Sequence, residues 1–151
     1  GYHKIEVSTD ESFSANAALR TGVHRLYNIF NVGVKPKSSG QHYWTLGYGF
    51  GTAPRLNKWL SLNVDLTANH ISYGNLTSSV NLLNRLYLGV DMQASRWLSF
   101  TAGITANAYI TDNADAPYAK FLTTYQPDLI VDRKVGNNDF QMWFGGKLGV
   151  R

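Results

Sequence analysis

Three consecutive segments, Trp59–Ile71, Asn84–Ala94 and Trp97–Asp112, alternate apolar and polar residues over their whole length. Leu60, Leu62, Val64, Leu66, Ala68 and His70 oppose Ser61, Asn63, Asp65, Thr67 and Asn69. Leu86, Leu88, Val90 and Met92 oppose Arg85, Tyr87, Gly89, Asp91 and Gln93. Leu98, Phe100, Ala102, Ile104, Ala106, Ala108 and Ile110 oppose Ser99, Thr101, Gly103, Thr105, Asn107 and Tyr109. A period of two means a β-strand with unlike faces. Strands of soluble proteins usually run about 5–6 residues, and a tilted membrane-spanning strand about 9–11. These segments have the second length.

Alternation leaves open which face points outward. A soluble barrel turns its apolar face inward, and a membrane barrel turns it to lipid. The polar face here holds Ser, Thr, Asn, Gly and Tyr, with almost no Lys or Glu. A water-facing surface is richer in long charged side chains. Charged residues make up only 16% of the chain, against about 25% in soluble domains. The apolar face is therefore read as lipid-facing and the small polar face as lumenal. No apolar run approaches the roughly 20 residues of a membrane helix, so any span is a β-span.

The rest of the chain follows the same period. Ile5 and Val7 oppose Lys4, Glu6 and Ser8, so residues 1–11 read either as a weak first strand or as an extension, with a turn at Thr9-Asp10-Glu11. From Ser12, Phe13, Ala15, Ala17, Leu19, Thr21 and Val23 oppose Ser14, Asn16, Ala18, Arg20 and Gly22. His24–Leu26 reads as a turn or a bulge. Phe30, Val32 and Val34 oppose Asn31, Gly33 and Lys35, and Pro36–Gly40 is a loop by composition. In His42–Gly51, Trp44, Leu46, Tyr48 and Phe50 face outward, while Gly47, Gly49 and Gly51 leave lumenal room for bulky neighbours. Thr52–Lys58 is a short turn, Tyr73–Leu83 a loop, Ser95-Arg96 a tight turn, and Asn113–Asp139 the longest irregular stretch, within which Phe121–Val131 could extend a strand. Phe140, Met142, Phe144, Leu148 and Val150 close the chain against Gln141, Trp143, Gly145, Lys147 and Arg151. The count is eight strands in one domain, residues 1–151: an all-β, closed, antiparallel up-and-down barrel. Six strands plus an extension, and a piece of a larger barrel, are the alternative counts. Apart from the short first loop, long and short connections alternate, which puts the short turns and both termini on the periplasmic side.

The chain resembles the small outer-membrane β-barrel proteins of Gram-negative bacteria over roughly residues 12–151. The closing strand, Phe140 to Arg151, looks like the C-terminal strand that the barrel-assembly machinery engages. That family's pattern ends in an aromatic residue where this chain ends in Arg151, so further residues are expected beyond it. No signal peptide is present, and a mature form or the C-terminal barrel of a longer protein is expected. The resemblance implies a location in the cell outer membrane. The partners it implies are lipid and lipopolysaccharide, the assembly machinery during insertion, and other envelope proteins.

Chemistry-bearing residues are few. Arg20, Asp65, Arg85, Asp91 and Lys147 have lumenal parity and form a candidate polar network. Charges in a closed interior pair with each other rather than line an open pore, and Arg85 is expected to pair with Asp65 or Asp91. His70 and Ser72 share the outward parity near the outer end of their strand. Asn69-His70-Ile71-Ser72-Tyr73-Gly74-Asn75 is similar in part to the His-x-Ser motif of lipid A 3-O-deacylase barrels, which implies a base and a nucleophile for ester hydrolysis. That family orients its His with a Glu from the next strand, where this chain offers Asn84. His3, His24 and His42 have no metal-ligand spacing, no cofactor or nucleic-acid motif occurs, and there are no cysteines. Asn75-Leu76-Thr77 fits the glycosylation pattern. The expected function is a non-enzymatic outer-membrane barrel acting as a structural anchor or binding through its outer loops. The alternatives are a subunit of a larger outer-membrane assembly and a lipid A acyl-ester hydrolase using Ser72 and His70.

Overall fold

The computed structural model describes residues 1–35, 42–73, 81–112 and 131–151. Among these residues there are nine strands and no helix: β1 (Tyr2–Asp10), β2 (Ala15–Val23), β3 (Leu26–Lys35), β4 (Tyr43–Thr52), β5 (Leu60–Tyr73), β6 (Asn81–Gln93), β7 (Ser99–Thr111), β8 (Val131–Val135) and β9 (Asn138–Val150). Strands β1 to β7 pair antiparallel in chain order, β7 pairs with β9, and β9 returns to β1. Eight strands thus close a barrel, in which the first and last strands pair over part of their length rather than standing as the free edges of an open sheet.

The closing seam is short. Val7–Asp10 of β1 pairs with Lys147–Val150 of β9, and β8 pairs with the other end of the same β9 edge, at Asn138–Met142. β8 lies in the stretch read from sequence as irregular. Its hairpin depends on Gly136, whose φ of 64° supplies the positive φ that a two-residue loop needs at its first central position.

Strand ends differ from the sequence reading where a side chain overrides the period. β1 runs on through Thr9 and Asp10, and the turn falls at residues 11–14. The Asp10 carboxylate makes that turn: Oδ1 accepts from Ser12 N at 3.0 Å and Ser12 Oγ at 2.6 Å, while Phe13 N donates to Asp10 O at 2.9 Å. Such Asx hydrogen bonds end a strand by competing with the ladder. Phe13 takes a left-handed φ of 58°, so β2 starts at Ala15 rather than Ser12. β6 starts at Asn81, three residues before the expected Asn84, and carries Leu83 into the lumen. His24-Arg25 is a turn and not a bulge. The loop Pro36–Gly40, Phe121 to Ile130, and Asn75-Leu76-Thr77 lie outside the described residues.

The two faces are sorted as the period requires. Leu46, Phe50, Leu66, Leu88, Ile104, Phe144 and Leu148 all point outward and are exposed. Inward positions hold Glu6, Arg20, Asn63, Asp65, Asp91, Thr105 and Asn107, each at most 4% exposed. A soluble barrel has the reverse arrangement.

Candidate functional site

The lumen is where the chain concentrates its chemistry, and it is layered. At the short-turn end Tyr2, Ala18, Tyr27, Ile29 and Ala53 form an apolar cluster, with the Tyr2 and Tyr27 rings stacked at 4.6 Å. Toward the other end Tyr43, Ile71, Leu83, Tyr109 and Trp143 form a second. Two ionic layers fill the space between.

The lower ionic layer is built around Glu6. Its carboxylate meets Lys147 Nζ at 2.5 Å, Arg20 Nη1 at 2.7 Å, and Arg151 Nε. Arg20 Nη2 reaches Asp65 Oδ2 at 2.6 Å, and Tyr27 donates to Asp65 Oδ1 at 2.5 Å. Arg151 Nη1 reaches Asp91 at 2.7 Å and Asn63 Oδ1 at 2.9 Å. Lys4 Nζ donates to Ser99 Oγ at 3.0 Å, and Lys147 Nζ lies 4.6 Å from the Tyr87 ring centroid. Desolvating so many charges is tolerable only because each has opposite charges and hydrogen bonds around it.

The upper ionic layer is built around Arg85. Nη1 lies 2.7 Å from Asp10 Oδ2, Nη2 3.3 Å from Glu11 Oε1, and Nε donates to Asn107 Oδ1 at 2.7 Å. Glu11 also accepts from Asn107 Nδ2 and Trp143 Nε1, each at 3.0 Å. The turn at residues 11–14 therefore folds into the barrel. Beside it a polar cavity is lined by Ser8, Ser12, Ser14, Asn16, Asn31 and Thr67 among others.

Arg20, Asp65, Arg85, Asp91 and Lys147 all lie in the lumen, but in two layers. Arg85 pairs with neither Asp65 nor Asp91. Asp65, diagonal to Arg85 across β5 and β6, is taken instead by Arg20 and Tyr27, and Asp91 stands opposite Ser61 at the far end of the pairing. Asp91 is six residues along β6 from Arg85, about 20 Å in a strand. Arg20 and Arg151 occupy the carboxylates that the sequence reading assigned to Arg85. Glu6, Asp10, Glu11, Lys4 and Arg151, all members of the network, were missed. The parity of Lys4, Glu6 and Ser8 was the available signal, and continuing it by one step reaches Asp10.

His70 and Ser72 have the register of the outer face, opposite Leu46 and Trp44 of β4. On the β6 side His70 faces Leu82, and Asn84 faces Ala68. No carboxylate stands at these neighbouring positions. Ser72 is only 5% exposed. Among the described residues no group of His, Cys, Asp and Glu could hold a metal ion.

No family model matches this chain, and no curated protein or solved structure matches it either.

Proposed function

We propose that this barrel spans the outer membrane of a Gram-negative cell as a non-enzymatic protein, serving as a structural anchor or binding through its outer loops. One observation carries the reading: the barrel is inside-out. Leu46, Ile104, Phe144 and Leu148, on three different strands, are each more than 60% exposed, while the lumen is ionic. At about 25 cal/mol per Å² of apolar surface, water is a poor surroundings for this exterior and lipid a good one. A closed barrel satisfies its backbone hydrogen bonds internally, as a hydrocarbon surrounding demands. Buried ion pairs occupy the lumen among the described residues, which favours an anchor over a channel. The hydrolase alternative finds no orienting acid beside His70 among the described residues.

The test is solubility and heat-modifiability. The protein should need detergent, give a β-rich circular dichroism spectrum, and migrate differently on gels when unheated. A monodisperse, folded protein in detergent-free buffer would overturn the reading.

A further inference from the structure

The turns joining β4 to β5 and β6 to β7 are two copies of one device. Leu56-Asn57-Lys58-Trp59-Leu60-Ser61 aligns with Ala94-Ser95-Arg96-Trp97-Leu98-Ser99. In each, two successive N–H groups donate to one carbonyl: Leu56 and Asn57 to Leu60 O at 2.9 and 3.1 Å, and Ala94 and Ser95 to Leu98 O at 3.0 Å each. In each, the second side chain accepts from the Trp backbone N–H, Asn57 Oδ1 at 2.8 Å and Ser95 Oγ at 3.3 Å. This locked loop presents a cation and an indole side by side. Trp97 is 90% exposed and Trp59 58%, and Lys58 Nζ lies 5.7 Å from the Trp59 ring centroid.

The copies are wired together. Gln93 N donates to Trp59 O at 2.7 Å, and Ala53 N donates to His24 O at 2.7 Å, which brings in the turn between β2 and β3. The rim so formed carries exposed Arg25, Arg55, Lys58 and Arg96 beside Leu26, Leu56 and Leu98, and none of the three turns contains Asp or Glu. Solvated turns ordinarily mix both signs of charge and hide large aromatics. Cations beside indoles and leucines, without acids, match a boundary whose charge is negative and whose far side is apolar.

We propose that this rim binds the phosphate headgroups of anionic phospholipids in the leaflet that the short turns face. Each indole lodges at the headgroup–acyl boundary, and each neighbouring cation contacts a phosphate. The proposal rests on the membrane-spanning reading above. The test uses the protein reconstituted in phosphatidylcholine bilayers with trace spin-labelled phosphatidylglycerol or spin-labelled phosphatidylcholine. Electron spin resonance gives the protein-bound fraction of each. Phosphatidylglycerol should be preferred about fivefold, the factor one Lys or Arg near an anionic surface contributes. The preference should fall with salt and disappear in the double variant Lys58→Gln/Arg96→Gln, with phosphatidylcholine contact unchanged. Equal binding of the two lipids would overturn the proposal and leave the spanning reading intact. So would a preference that survives in the double variant. A preference abolished by millimolar inorganic phosphate at constant ionic strength would mean a small-anion site instead, and would overturn it too. Absence of any protein-bound lipid would overturn the spanning reading, and this proposal with it.

Discussion

Arg85 on β6 spans the lumen to Asp10 at the end of β1, with Nη1 2.7 Å from Oδ2. Both side chains are largely buried, at 13% and 4% exposure. The pair ties the first strand and its inward turn to the opposite wall. Replacing Arg85 by Met strips Asp10 and Glu11 of their shared guanidinium in a closed space, and breaking a buried pair in this way costs about 3–5 kcal/mol. Urea unfolding in detergent micelles should show that loss. Adding Asp10→Asn and Glu11→Gln to Arg85→Met should restore most of it. If the triple variant is no more stable than Arg85→Met, the network is not what holds this turn.

Gly51 is a second structural dependency. A Cβ there would lie 2.3 Å from Asp65 Oδ1 and 2.8 Å from the Tyr27 ring. The Tyr27–Asp65 hydrogen bond therefore passes over this residue, and only glycine leaves room for it. Gly51→Ala should displace both side chains and cost about 1–3 kcal/mol, the usual penalty of overpacking. Gly146→Ala is the control, because its nearest neighbour would be 3.7 Å away. Equal stability of the two variants would show that Tyr27 and Asp65 do not sit as described.

Leu88 and Ile104 are cross-strand partners on the outer face, 42% and 62% exposed. On the membrane-spanning reading each lies near the hydrocarbon midplane, where an added Arg costs about 2–4 kcal/mol. Leu88→Arg and Ile104→Arg should each reduce the folded, heat-modifiable fraction during refolding into lipid vesicles. In a water-surrounded barrel the same changes would be neutral or helpful, so full refolding of both variants would count against the lipid-facing assignment.

The strands of the barrel were legible because period two is a local property, and it persists within each of the segments Trp59–Ile71, Asn84–Ala94 and Trp97–Asp112. The inward set Arg20, Asp65, Arg85, Asp91 and Lys147 could be read for the same reason. Who pairs with whom could not. Partnership depends on the stagger between strands, and parity does not encode stagger: Arg85 on β6 meets Asp10 on β1, while Asp65 on the strand beside Arg85 pairs with Arg20 on β2. The first strand was the least readable, because Asp10 and Glu11 look like turn residues. Asp10 in fact ends the strand and Glu11 opens the turn, both directed inward, and no local pattern distinguishes a carboxylate aimed at Arg85 from one aimed at water. The short strand Val131–Val135 is too brief to show a period, and its partner edge on β9 is exposed only because β1 pairs with so few residues there.

His70 and Ser72 bear on the hydrolase alternative. Deacylation needs a nucleophile, a base within reach, and an acid to orient the base. The register brings Leu46 and Leu82 beside His70, and Asp112 follows β7, two strands away from β5 in the sheet order. A neutral neighbour such as Asn84 cannot offset an imidazolium, and in the serine protease triad the equivalent change costs on the order of 10⁴ in rate. Incubation of the pure protein with lipid A, followed by mass spectrometry, should show no released acyl chain. Release that disappears in Ser72→Ala would establish the hydrolase instead.

Conduction is the remaining consequence of the layered lumen. An ion entering from the short-turn end meets the stacked Tyr2 and Tyr27 rings, then the guanidinium of Arg20 held between Glu6 and Asp65. Beyond that lie Arg85 with its two carboxylates and the cluster around Trp143. Passage would require separating buried ion pairs, each several kcal/mol more costly to break than an exposed pair. Planar bilayers containing the reconstituted protein should therefore show no discrete conductance steps. Loosening should begin where one residue holds several others. Arg151 contacts Glu6, Asp65 and Asp91, so Arg151→Ala removes one shared cation from three carboxylates at once and should yield either an unstable barrel or brief, cation-selective openings. Stable, unselective steps from the unaltered protein would mean that the layers open under voltage, and the anchor reading would give way to a channel.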